Sequence, residues 1–143
     1  MIKPHGSKEL KPLFVSDAAN NIALVTEAES LPSLLVNSAA AANAVMLGAG
    51  YFNPLTGYMN LADSLAVAEN LHTVDGLFWP VPIVNLSSDI SAIGDAKRIA
   101  LRDPNVEGNP VLAIMDIAAI EQVSAEQIDF MAENIFGNLD ENH

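Results

Sequence analysis

The chain of 143 residues contains no cysteine, which excludes a disulfide framework, a thiolate metal site and a cysteine nucleophile. Positive charge is also scarce. Six Lys and Arg stand against 18 Asp and Glu, for a formal net charge of -12. A surface of that sign repels polyphosphate and disfavours nucleic acid and anionic membranes as partners. Side-chain charge vanishes altogether between Ser30 and Ala62. That stretch is nevertheless broken by Pro32, Asn37, Asn43, Gly48, Gly50, Asn53, Pro54 and Gly57, whereas a spanning helix needs about 20 predominantly apolar residues. A buried helix followed by an ordered loop is expected there. The basic start, with Lys3 and Lys8, lacks the apolar region of a secretory signal, and with the missing cysteines it points to the cytoplasm.

What remains is a composition suited to folding. Half of the residues are hydrophobic and 17% are charged, a balance that argues against intrinsic disorder and coiled coil. The length fits one domain over residues 1–143. The first segment, to about Glu29, reads as polar and mixed. Leu34-Leu35-Val36 suits a short strand. Asn37 or Ser38 can cap an alanine-rich helix from Ala39 to about Leu47, stopped at Gly48.

Residues 48–59, Gly-Ala-Gly-Tyr-Phe-Asn-Pro-Leu-Thr-Gly-Tyr-Met, combine three glycines with three aromatics, as a loop does when its backbone needs unusual dihedrals and its rings pack. A positive φ is expected at Gly57. Leu61, Leu65, Ala68 and Leu71 share a helical face over Leu61 to about His72. Leu77 to Val84 reads as a strand, placed at an edge or bulge by Pro80 and Pro82. Lys97–Asp103 alternates and returns through a turn as Val111–Ile117. Ser124 and Gln127 resemble a capping box opening a helix with the face Ile128, Met131, Ala132 and Ile135, stopped at Gly137. The elements make an α+β domain.

Chemistry is hard to find among these residues. His5, His72 and His143 lie far apart, and none has a partner at a ligand spacing beyond Glu69 three residues before His72. Gly48-x-Gly50 is no dinucleotide fingerprint, and Gly94-Asp95-Ala96-Lys97 lacks the rest of a phosphate loop. The acidic residues Glu121, Glu126, Asp129 and Glu133 suit a solvated face of the last helix. Lys97, Arg98 and Arg102 hold half of the positive charge. On an alternating strand Arg98 and Arg102 share a face. They could meet an anion or an acidic partner, or simply offset Asp95, Asp103 and Glu107.

Four segments carry a family resemblance. Residues 48–59 are similar to the Gly-x-Phe-Ser-Pro-Leu-x-Gly-Phe-Met stretch of sulfate adenylyltransferases (ATP sulfurylases), with Asn53 for serine and Tyr58 for phenylalanine. Phe78-Trp79-Pro80-Val81-Pro82-Ile83 resembles their Trp-Pro-x-Pro-Ile segment. Residues 94–103, Gly-Asp-Ala-Lys-Arg-Ile-Ala-Leu-Arg-Asp, resemble a Gly-Asp-x-x-x-Leu-x-Asp hairpin. Residues 136–143, Phe-Gly-Asn-Leu-Asp-Glu-Asn-His, resemble a segment that continues there as Pro-Gly-Val. The likeness begins at Ile2-Lys3-Pro4-His5-Gly6 and is greatest to the bacterial enzymes of sulfur oxidation and dissimilatory sulfur metabolism.

The resemblance implies a PUA-like, β-rich pseudobarrel with flanking helices, forming the N-terminal domain of an enzyme that converts ATP and sulfate to adenylyl sulfate and diphosphate. The family's catalytic motifs, Gln-x-Arg-Asn-x-x-His, His-x-x-His and Gly-Arg-Asp-His, belong to a second domain and do not occur in this sequence. No catalytic, cofactor or metal residue is therefore transferred. The chain alone is expected to be inactive, with ATP and Mg implied only for the full-length enzyme. Tyr51, Phe52, Pro54, Leu55, Tyr58 and Trp79 are the residues expected to pack against a catalytic domain of the same polypeptide. Arg98 and Arg102 are the weaker candidates for anion or partner contact, and the parent enzyme is a candidate homo-oligomer. A free-standing, noncatalytic interaction module is the alternative. RNA binding, a third option for PUA-like folds, conflicts with the acidic balance.

Overall fold

A computed structural model describes residues 2–137. The chain falls into two compact units, one of Met1–Tyr58 with Asn85–Ala118 and one of Met59–Val84 with Ala119–His143. Each is built from segments far apart in sequence.

In the first unit, the Asp17 side chain accepts from Asn20 N and opens helix α1, Ala18–Ser30. The polar, mixed sequence conceals this helix, because Ala28 alone among its residues is fully buried and no apolar stripe develops. Strand β1, Ser33–Leu35, follows, and Asn37 then caps helix α2, Ser38–Ala49, by accepting from Ala40 N. The helix runs past Gly48 and stops at Gly50, whose φ of 80° is the left-handed conformation glycine adopts without a Cβ penalty. Gly57, expected to need that conformation, lies outside the left-handed region and has open space where a Cβ would sit. The turn is made with Gly50 instead, and the Asn53–Pro54 peptide is cis.

Strands β2, Arg98–Arg102, and β3, Val111–Asp116, complete a sheet of order β1-β2-β3. β1 runs parallel to β2 with Ser33 opposite Ala100, and β3 runs antiparallel with Met115 opposite Ile99. The alternation expected of a half-buried strand gives way to burial of Ile99, Ala100 and Leu101 together, because β2 is the central strand. Ile99 and Leu101 join Leu34, Val36, Ala40, Ala41 and Ile93 in the core. Arg98, on the alternate face, reaches Glu27 of α1, so the two helices cover opposite faces of the sheet.

The second unit rests on two capped helices in contact. Asn60 caps α3, Leu61–Asn70, and Glu121 accepts from Leu61 N at 2.9 Å. Ser124 and Gln127 form the expected capping box of α4, Ala125–Phe136, which ends at Gly137 with φ 79°. The buried face of α3 is Ser64, Val67 and Ala68, turned from the expected one, whose Leu71 is exposed. On α4 only Met131 is fully buried, and Ile128 faces solvent.

Residues 77–84 form no ladder strand. Pro80 and Pro82 have no N–H to donate, and the segment keeps one bridge between His72 and Phe78, a two-way tie between Leu77 and Thr73, a bond from Trp79 N to Leu71 O and one from Met59 N to Ile83 O. Asn138 to His143, most of the last resembling segment, lie outside the described residues.

Candidate functional site

The loop that follows α2 is built by satisfying the helix's last carbonyls, which have no partners within the helix. Gly50 N donates to Leu47 O and Tyr51 N to Met46 O, while Leu13 N and Phe14 N both donate to Gly48 O. Asn53 extends the tie to the N-terminal segment, accepting from Lys11 N and donating to Ser7 Oγ. The side chains of the loop then divide. Tyr51 is 75% exposed, whereas Phe52, Pro54 and Leu55 are half-buried. Tyr58 turns inward, its hydroxyl donating to Ala40 O at 2.7 Å, and burial pushes its phenol up to about 12. In the second unit, Trp79 is 6% exposed.

Protein groups engage both arginines of β2. Arg98 Nε lies 2.7 Å from Glu27 Oε1, its Nη2 reaches Glu27 Oε2, and its Nη1 lies 2.7 Å from Asp116 Oδ1. Hydrogen bonding to Glu27 first, then to Asp116, holds the guanidinium protonated even more firmly than usual. Asp116 is the direct cross-strand partner of Arg98, and α1 supplies Glu27 from 71 residues away. The carboxylates that meet Arg98 are thus not the nearby Asp95, Asp103 or Glu107. Arg102 Nε donates to Ser33 Oγ on β1.

No described histidine gathers a ligand set. His72 Nδ1 lies 2.8 Å from Asn70 O, and its ring meets Phe78 edge-on. Among the described residues no three His, Asp or Glu side chains are grouped to hold a metal ion. Nor is any described helix long and apolar enough to cross a membrane. The hydrogen bonds between the N-terminal segment and Asn53 escaped sequence reasoning. Their only local signal is the departure at Asn53 from the family's serine.

The fold, with its α+β sheet and this glycine–aromatic loop, has known counterparts. Residues 2–143 match the family model of the PUA-like domain, and the chain belongs to that family. More particularly, it is similar along its whole length to sulfate adenylyltransferases. Identity is 60% to that of Alcanivorax borkumensis and 58% to that of Allochromatium vinosum, in each case over all 143 residues and 36% of the relative. With the enzyme of the Riftia pachyptila sulfur-oxidizing endosymbiont it is 52%, over 32% of that protein. The chain therefore spans about a third of the length of these relatives. Among solved structures, a hexameric APS kinase from Thiobacillus denitrificans matches with a TM-score of 0.67 and 35% identity, covering 86% of this chain and 24% of that one.

Proposed function

We propose that this chain is the supporting N-terminal domain of a sulfate adenylyltransferase, for sulfate activation or dissimilatory sulfur metabolism, and that the chemistry belongs to a part of the enzyme outside residues 1–143. The observation that carries this reading is identity of 60% along the entire chain to about a third of such an enzyme. Electrostatics supports it. Condensing ATP with sulfate brings anions together, and catalysis needs positive charge aimed at the phosphoryl oxygens. Arg98 is instead clamped by two carboxylates, in a chain of net charge -12.

On this reading Tyr51, with Phe52, Pro54 and Leu55, forms the surface that packs against the catalytic domain, while Tyr58 orders the backbone behind it through its bond to Ala40 O. A large exposed aromatic beside half-buried apolar neighbours is suited to an interface. The structural relative is a hexameric enzyme, and homo-oligomerisation of the parent belongs to the same reading.

The test is reconstitution. The chain should make no adenylyl sulfate from ATP and sulfate. Added to the remaining two thirds of the Alcanivorax borkumensis enzyme, it should bind and raise its activity, and Tyr51→Ser should weaken that binding about tenfold or more, as for loss of an aromatic anchor. Turnover by the chain alone would overturn the assignment. Failure to bind the catalytic part would favour the free-standing module.

A further inference from the structure

We propose that residues 7–14 are a releasable strap, latched by the Asn53 carboxamide, that closes over the C-terminal end of α2 and holds the glycine–aromatic loop in place. The segment has neither helix nor strand, yet it meets the helix end and the loop at successive points. Leu13 N and Phe14 N share Gly48 O at 2.9 and 3.0 Å, which satisfies a carbonyl the helix cannot. Lys11 N donates to Asn53 Oδ1 at 3.2 Å, and Asn53 Nδ2 donates to Ser7 Oγ at 2.7 Å. Ser7 in turn donates to Glu9 O. One side chain on the loop thus grips the strap at two places four residues apart.

Between these grips the strap crosses the helix stop. A Cβ on Gly50 would lie 3.3 Å from Pro12 Cα and 3.4 Å from both Leu10 Cδ1 and Pro12 Cγ, so strap and loop approach as closely as the missing side chain allows. The strap buries little of itself. Leu10 and Phe14 are 56% and 69% exposed, and no sheet ladder includes the segment. A segment held by a few hydrogen bonds with its apolar side chains in water belongs to the low-stability end of a fold, where local opening precedes global unfolding. Opening would free Gly48 O and uncover the face of Gly50. Both adjoin the exposed Tyr51, so the strap governs what the loop presents.

Hydrogen exchange, resolved by residue on the full chain, tests this. In the unaltered protein, the amides of Lys11, Leu13, Phe14 and Tyr51 should be protected and should exchange by an opening that leaves β2 and β3 closed. Asn53→Leu, which removes both grips, should speed those four amides at least tenfold with the sheet unchanged. Ser7→Ala, which removes one grip, should give the same pattern with a smaller ratio and decides the matter if Asn53→Leu fails to fold. Lack of protection in the unaltered strap, unchanged strap rates in the folded variants, or equal acceleration of strap and sheet would each overturn the proposal.

Discussion

The two units reach order by different routes. In the first, three consecutive residues of β2, Ile99, Ala100 and Leu101, are buried, and their neighbours come from β1, α2 and β3. In the second, α4 carries a capping box and a glycine stop but buries only Met131 fully. The first unit thus rests on strand pairing around a buried centre, and the second on two well-marked helices packed against each other. A clear local signal does not by itself bring deep burial, as α4 shows beside β2, and substitutions can separate the two.

The largest effect is expected at the centre of the sheet. Ile99→Ala should lower stability to chemical denaturation by about 3–4 kcal/mol, through lost transfer energy and a cavity. Met131→Ala, on α4, should cost about 2 kcal/mol. Equal losses at the two positions would erase the contrast between the units.

The glycines sharpen the same comparison within the first unit. Gly50→Ala should cost about 1–2 kcal/mol, because it puts a Cβ on a left-handed residue against Pro12. Gly57→Ala has open space and an ordinary φ, and should stay within about 0.5 kcal/mol in thermal or chemical melts. Tyr58→Phe removes a bond to Ala40 O and should cost about 1 kcal/mol at neutral pH. It should also change the alkaline limb. Burial favours the neutral phenol, so the stability Tyr58 confers is complete below pH 10, the unperturbed value, and is lost as pH rises towards about 12. The variant should lack that component. The smallest effect is expected at Arg98. Its ion pairs are partly exposed, so Arg98→Leu should mainly flatten the dependence of stability on salt. A slope equal to that of the unaltered chain would mean that the clamp is inert.

Legibility in the sequence follows the same division. Asn37 as a cap, the Ser124–Gln127 box, the Gly137 stop and the β2–β3 return are local patterns, and they place α2, α4 and the hairpin within a residue or two. What needs distant partners stayed hidden. Helix α1 has its cap at Asp17 but no apolar stripe, since its tie to the sheet is the polar reach of Glu27 to Arg98. Apolar side chains at 77–84 suggest a strand, yet two prolines remove the donors a ladder requires. For the candidate site, composition marked the loop at 48–59. Which segment lies across the left-handed Gly50 is set by Pro12 and Lys11, some forty residues earlier.

The parallel pairing of β1 with β2 also has a consequence in time. On a ribosome, β1 is complete roughly 65 residues before its partner, and at about 5–20 residues per second that is a delay of roughly 3–13 s. The first half of the second unit, Met59–Val84, is made within that interval. For several seconds Leu34 belongs to a strand with no sheet to enter. The nascent chain must carry this apolar segment unpaired until Arg98–Arg102 emerges.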